Sequence, residues 1–440
     1  MNTNKVRNRL SKTCFLILPL MLTACNTNTS VAAPMPENIS NKKVSNKNND
    51  VDQALVKLII DAKATRKIPK QENINLAGKV YPALAPLGPV PEPKDNLMTP
   101  EKVELGKMLF FDGKLGGNTS TPCVSCHLPE TGWDFPADIS MGYPGTVHWR
   151  NSQTIVNSAY YGKLFWAGSS KSLEAQAKGA AKGAVAGNGE DDLMEARLAL
   201  VPDYVKRFKQ VFGDDWPKVS NAWKAIAAFE RSLVQRDTPL DNYLLGDKQA
   251  LTEEQIKGKT LFEGKAQCIA CHNGALASDE AFYNIGVPSN KRWESDSLAQ
   301  ITFRYEMYAK GSNETLYRSA KADPGVYFRG KMKDMKGAFR TPSLRYTKYT
   351  APYMHNGTLE TMADVVDFYD RGGIAEDGRT SGYAHNKSEL IKPLGLNQQE
   401  KAQLLAFLEA FSGNKIGLTR PDIPDYQPLF TEQELLEAKK

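Results

Sequence analysis

Residues 121–133 read TPCVSCHLPETGW and residues 267–274 read QCIACHNG; each holds one Cys-x-x-Cys-His pentapeptide, Cys123-Val-Ser-Cys126-His127 and Cys268-Ile-Ala-Cys271-His272. The 440-residue chain has only six cysteines and five histidines, so the two pentapeptides take most of its soft-ligand chemistry. A thioredoxin-like redox pair has no use for the histidine. A zinc site would pool a fixed set of Cys and His from both motifs. Cys-x-x-Cys-His is instead the attachment sequence of haem c: the two thiols add across the vinyl groups, and the adjacent histidine becomes the proximal axial ligand. Two covalently bound haem c groups are therefore expected, one on Cys123 and Cys126 with His127 on the iron, the other on Cys268 and Cys271 with His272.

The sequence around the motifs is also doubled. Gly106-Lys-Met-Leu-Phe-Phe-Asp-Gly-Lys114 precedes the first motif and Gly258-Lys-Thr-Leu-Phe-Glu-Gly-Lys265 the second. A helix, a glycine turn and a Cys-x-x-Cys-His occur twice, as expected for duplication of one unit. Helix signals dominate elsewhere. Thr99-Pro100 is an N-cap followed by proline at the first helical position, Thr252-x-x-Gln255 and Asn397-x-x-Glu400 are capping boxes, and residues 192–212 and 219–235 have helical apolar spacing. The helix opened by Asn397 is expected to run to Gly413. No window alternates long enough for a strand. The expected fold is mainly α, with two cytochrome-c-like haem domains related by duplication, at 96–245 and 246–420. Residues 51–95, Pro-rich from 81, read as an extended entry segment, and 421–440 as a tail.

The N-terminus carries export information. Lys5, Arg7, Arg9 and Lys12 precede the apolar run of residues 14–22, too short to span a bilayer permanently, and Leu22-Thr-Ala-Cys25 has the form of a lipobox. Residues 1–24 read as a lipoprotein signal peptide, Cys25 as the lipidated N-terminus, and the Asn-rich stretch 25–50 as a disordered tether. Of the net charge of +6, four positive charges lie before Cys25, which leaves +2 on residues 25–440 and no basis for nucleic-acid binding. With Cys14 removed and Cys25 acylated, the remaining four cysteines are those of the two motifs, and none is left for a disulfide. The expected location is the periplasm, anchored by lipid, with the outer membrane favoured over the inner.

Five stretches together resemble the bacterial di-haem cytochrome c peroxidases and their MauG-type relatives: LGKMLFFDGKLGGN (105–118), RNSQTIVNSAYYGKLFWAG (150–168), GKTLFEGKAQCIACHNG (258–274), FRTPSLRYTKYTAPYMHNG (339–357) and TMADVVDFYDRGG (361–373). The resemblance implies two haem domains with one calcium ion between them. The N-terminal haem would react with hydrogen peroxide and the C-terminal haem would relay electrons. It places Trp166 between the haems and Gln176 above the peroxidatic iron. Calcium would be held by Asn151 and, through backbone carbonyls, Thr350 and Pro352, oxygen ligands suited to a hard cation. The sixth ligand of the His272 haem falls on Tyr369, where the peroxidases have methionine and MauG-type proteins tyrosine. Two departures stand out. The family's catalytic glutamate falls on Ala186, with Glu190 the nearest acid, and the histidine that blocks the resting peroxidatic iron in many peroxidases falls on Tyr143, with His148 nearby. His385 reads as a surface loop residue.

The expected function is peroxide reduction at the N-terminal haem. The electron donor would be a small redox protein or a quinol-linked system, and a homodimer is allowed. One rival is a MauG-type enzyme that oxidises side chains of a partner protein through a high-valent two-haem state. A second is a non-catalytic di-haem electron-transfer cytochrome. If Cys25 is the anchor, Cys25→Ser is expected to move the protein from the membrane pellet to the soluble fraction with its haem content unchanged. A variant that still pellets would end the lipid-anchor reading.

Overall fold

The fold was obtained as a computed structural model, which describes residues 52–309, 311–427 and 437. The assignments at 1–24 and 25–50, with Cys25, lie outside the described residues. In chain order the helices are α1 (Gln53–Lys63), α2 (Pro100–Phe111), α3 (Leu173–Lys182), α4 (Asp191–Ala199), α5 (Pro202–Phe212), α6 (Val219–Ser232), α7 (Pro239–Leu244), α8 (Glu253–Glu263), α9 (Lys291–Ser295), α10 (Ser297–Ala309), α11 (Glu314–Ser319), α12 (Tyr327–Gly330), α13 (Met362–Asp370) and α14 (Gln398–Glu409). Among the described residues, strands are confined to three antiparallel two-stranded ribbons, the longest pairing Asn73–Leu76 with Lys79–Pro82. The mainly α expectation holds.

The caps act as the sequence chemistry requires. The Thr99 side chain accepts from the Lys102 amide ahead of α2, and both capping boxes form, Thr252 with Gln255 and Asn397 with Glu400. Three local expectations need correction. The segment 51–95 is not extended throughout: α1 is capped by Asp52 and buries Leu55, Ile59 and Ala62, an i, i+4, i+7 stripe. The helical stretch 192–212 is two helices, because Pro202 starts α5 and forces Val201 out of the helical region at φ −110°, ψ 104°. Helix α14 ends at Glu409, short of Gly413.

Duplication shows in the packing. In the first half α2 crosses α6, in the second α8 crosses α14, and each crossing turns on the repeated glycine. A Cβ on Gly106 would stand 1.9 Å from the Ala225 carbonyl oxygen, and one on Gly258 2.0 Å from that of Gln403. One turn further, Phe110 meets Phe229 at a ring separation of 5.3 Å and 61°, and Phe262 meets Phe407 at 5.4 Å and 70°. Such edge-on pairs contribute about 0.5–1.5 kcal/mol each beyond the area they bury. Two apolar cores grow from these crossings. The first gathers residues of α1, α2, α4, α5 and α6, and the second residues of α8, α13 and α14. Leu240 of α7 packs into the second core, and its amide donates to the Ala410 carbonyl, so the cores divide before the expected boundary at 245. Leu84 also joins the second core. Among the described residues no helix is long and apolar enough to cross a membrane.

At an ordinary helix position glycine to alanine stabilises by about 1 kcal/mol. At these crossings the sign reverses, since backbone cannot yield to the new methyl. Gly106→Ala and Gly258→Ala are each expected to destabilise by about 1–3 kcal/mol, read as a lowered midpoint of denaturant unfolding. Unchanged midpoints would mean the helices can separate freely.

Candidate di-haem site

Each Cys-x-x-Cys-His forms the same local device. A short 3-10 turn, Cys123–Ser125 or Cys268–Ala270, carries the first cysteine, and the histidine amide folds back to its carbonyl, His127 to Cys123 at 3.2 Å and His272 to Cys268 at 2.9 Å. The imidazole is then held at one nitrogen. His127 Nδ1 lies 3.3 Å from the Trp133 carbonyl and His272 Nδ1 3.2 Å from that of Ala277. A carbonyl only accepts, so Nδ1 carries the proton and Nε2 is left as the ligating atom. Burial keeps both rings neutral, with His127 pushed down to about 4. It also pushes the thiols up, Cys123, Cys268 and Cys271 to about 12 and Cys126 to about 11. None of these four cysteines is in a disulfide. No cluster of three or more His, Cys, Asp or Glu placed for a metal ion occurs among the described residues.

Both devices open on one cavity of about 800 Å³. Its lining includes Cys123, Cys126, His127, Cys268, Cys271, His272, Trp166, Gln176 and Tyr369, and also Asn151, Thr350 and Pro352. These sequence-assigned residues, far apart along the chain, thus meet around a single space. The walls fit two haems. They are largely apolar, and Arg340, 1 % exposed, lines the cavity with its guanidinium on carbonyls and Gln153 and no carboxylate partner among the described residues. A buried cation of that kind suits the propionates that haem carries.

Trp166 donates its indole N–H to the Asn151 carbonyl at 2.9 Å and stands edge-on to His355 at 6.4 Å. Gln176, on α3, has a buried Oε1 without a hydrogen-bond partner. Tyr369 lies on α13, which starts at the Thr361–Asp364 capping box. Burial pushes its phenol up, and the nearby Cys271 and Cys268 push the same way. Met362 also lines the cavity, seven residues earlier on the same helix and about 10 Å along its axis. Asn151 spends its amide N–H on the His355 carbonyl and its Nδ2 on the Ala137 carbonyl, both at 2.9 Å, so Oδ1 is its spare oxygen. With the carbonyls of Thr350 and Pro352 this is a hard, oxygen-only donor set, which fits calcium.

Glu190 is not brought to the cavity. It is exposed, as the residue before α4, beyond the wall formed by Val185, Ala186 and Gly187. The Gly-rich loop turns back at Gly189, whose amide donates to the Ala181 carbonyl, and leaves the acid in solvent. His148 does line the cavity, stacked on Trp149 at 4.0 Å. His385 is exposed. A residue the sequence reading passed over is Glu230 of α6, 3 % exposed, on the cavity wall and pushed up to about 8 by burial. Its signal is a Glu-Arg pair inside the otherwise apolar run AIAAFERSLV.

A family profile described as di-haem cytochrome c peroxidase matches residues 100–249. Cytochrome-c peroxidase IdrP1 of Denitromonas iodatirespirans is 55 % identical over 356 residues, 80 % of this chain and 93 % of the relative. The protein belongs to the di-haem cytochrome c peroxidase family. Methylamine utilization protein MauG of Methylorubrum extorquens is 34 % identical over 336 residues, 76 % of this chain and 85 % of that protein. Among solved structures, a MauG-like protein associated with microbial copper homeostasis superposes with a TM-score of 0.63 at 31 % identity, over 74 % of this chain and 93 % of its own. As a member of this family the protein is a two-haem c oxidoreductase.

Proposed function

We propose that this peroxidase reduces hydrogen peroxide at the haem on Cys123, Cys126 and His127, with electrons passed through the haem on Cys268, Cys271 and His272, and that it works in the periplasm on a Cys25 lipid anchor. The observation that carries the reading is that both attachment devices open on one cavity with Trp166 on its wall. Overall, peroxide, two protons and two electrons give two waters. The haem iron supplies the site where peroxide binds and its O–O bond is cleaved. The remaining work falls to the chain. His127 offers a neutral imidazole whose far nitrogen is tied to Trp133. The buried Gln176 amide, whose oxygen has no partner, orients the bound peroxide. With alanine at 186 and Glu190 in solvent, no acid comes from that loop, and water admitted to the cavity carries the proton. Trp166 couples the two haems. Asn151, Thr350 and Pro352 hold calcium, and the cation fixes Trp166 through the Asn151 carbonyl. The electrons come from a small redox protein or a quinol-linked donor.

One observation favours a MauG-like component. Tyr369 lines the cavity close to the Cys268 and Cys271 thiols, with Met362 two helical turns away along α13. Tyr369 would hold the iron of the His272 haem, where a hard, anionic phenolate would favour oxidised iron and a thioether would favour reduced iron. Held so, that haem would serve better as a store of oxidising equivalents than as an acceptor from ordinary cytochromes, which would suit oxidation of a partner protein.

Trp166→Phe is expected to leave both haem absorbance spectra in place and slow electron transfer between the haems at least tenfold, followed by stopped flow after peroxide is mixed with half-reduced protein. Unchanged transfer would return Trp166 to a packing role. Tyr369→Met is expected to raise the reduction potential of the His272 haem, measured by spectroelectrochemical titration, and to shorten the life of the peroxide-oxidised state. If neither moves, Tyr369 is not on the iron.

A further inference from the structure

Asp134 has no role in the proposed reaction, and its environment is not that of an ordinary structural carboxylate. The residue is 0 % exposed, and both carboxylate oxygens lack a hydrogen-bond partner. A buried carboxylate without donors is driven toward its neutral form, with desolvation pushing Asp134 up to about 8, unless a cation stands beside it. The polar groups around it are engaged elsewhere. The Thr131 hydroxyl bonds the carbonyls of Leu128 and of Asp134 itself, at 3.3 and 3.2 Å. The Tyr353 hydroxyl donates to the Thr347 carbonyl at 2.9 Å, and the Lys415 ammonium donates to the Glu130 carbonyl.

The backbone shows what lies opposite. Gly132 is pressed against Tyr349, so that a Cβ there would stand 2.5 Å from the Tyr349 carbonyl oxygen. Six residues on, Asp138 is pressed against Gly357, whose added Cβ would stand 2.3 Å from the Asp138 backbone. The segments 132–138 and 349–357 therefore run side by side in the same direction, and Asp134 falls opposite Thr350–Pro352. Tyr346 and Tyr353, at either end of that stretch, both have Asp134 as an electrostatic neighbour. Asn151 clasps the same two segments, with its amide on the His355 carbonyl and its Nδ2 on that of Ala137.

We infer that Asp134 is the anionic partner of the divalent cation proposed for Asn151, Thr350 and Pro352, either on the ion or through one bound water. The inference rests on that reading of the calcium site. One asparagine oxygen and two carbonyls are neutral donors, and a 2+ ion on neutral oxygens alone leaves its charge uncompensated in a buried seam. Asp134 supplies the missing charge, and the ion supplies what Asp134 lacks.

The test uses the haem-loaded protein stripped with a chelator and titrated with calcium by calorimetry. The wild type is expected to bind one ion per chain, and Asp134→Asn to bind it at least tenfold more weakly, with haem absorbance unchanged. The variant removes an acid that burial forces to take up a proton in the stripped protein, so its melting temperature without calcium at neutral pH should match or exceed that of the wild type, while the rise on adding calcium should shrink. Equal affinities in wild type and Asp134→Asn overturn the inference and leave the calcium site standing. Asn151→Ala separates the two: if it leaves calcium binding intact, the site reading fails, and the partnership with it. A wild type that binds no calcium overturns both.

Discussion

The crossing of two helices at a residue with no side chain is the constraint on which the rest of this structure depends. Helix α2 reaches α6 at Gly106, and α8 reaches α14 at Gly258, closely enough that a methyl group would strike a carbonyl oxygen. That approach sets the phenylalanine pairs one turn further on. The following turn then delivers the first cysteine of each motif to the cavity. Because both halves repeat the device, two haem sites follow from one piece of local chemistry used twice.

The second level of order comes from carbonyls. A histidine meant for iron must present Nε2 and stay neutral, and both are achieved by tying Nδ1 to Trp133 or Ala277 in a buried setting. The segment from Thr347 to His355 does comparable work between the halves. It lies along 132–138, accepts the Asn151 amide N–H at the His355 carbonyl, and places Thr350 and Pro352 on the cavity. Asn151 also receives the Trp166 indole, so one asparagine connects the proposed cation site, the bridging tryptophan and the seam beneath them. Loss of the cation should therefore be felt at Trp166 without any change in the haem ligands.

The two ends of the cavity differ in chemistry although they share a design. Around Gln176 the wall is built from small residues, Ala177, Ala180 and Val185 to Gly187. The His272 end has Tyr369 from α13. Duplication supplied matching frames, and divergence of the opposite walls supplied the proposed division into a reactive haem and a storing one.

What the sequence determined by itself is what depends on neighbours along the chain. Cysteine and histidine at fixed short spacing, capping boxes and the repeated glycine-to-phenylalanine interval all act within a few residues, so the haem attachments, the mainly helical fold and the duplication were legible from the chain alone. Helix α1 was equally local, and its Leu55–Ile59–Ala62 stripe was hidden by the proline-rich residues after it. Other features needed tertiary structure, because they join residues far apart in sequence. The exposure of Glu190 depends on how a loop turns back on α3. The burial of Glu230 depends on which face of α6 meets the cavity, and Leu240 joins the second core through a bond to Ala410. Asp134 reads as one more acid in a loop; only the register of 132–138 against 349–357 buries it without a donor. Desolvation is a property of everything packed around a group, and no window of sequence contains that.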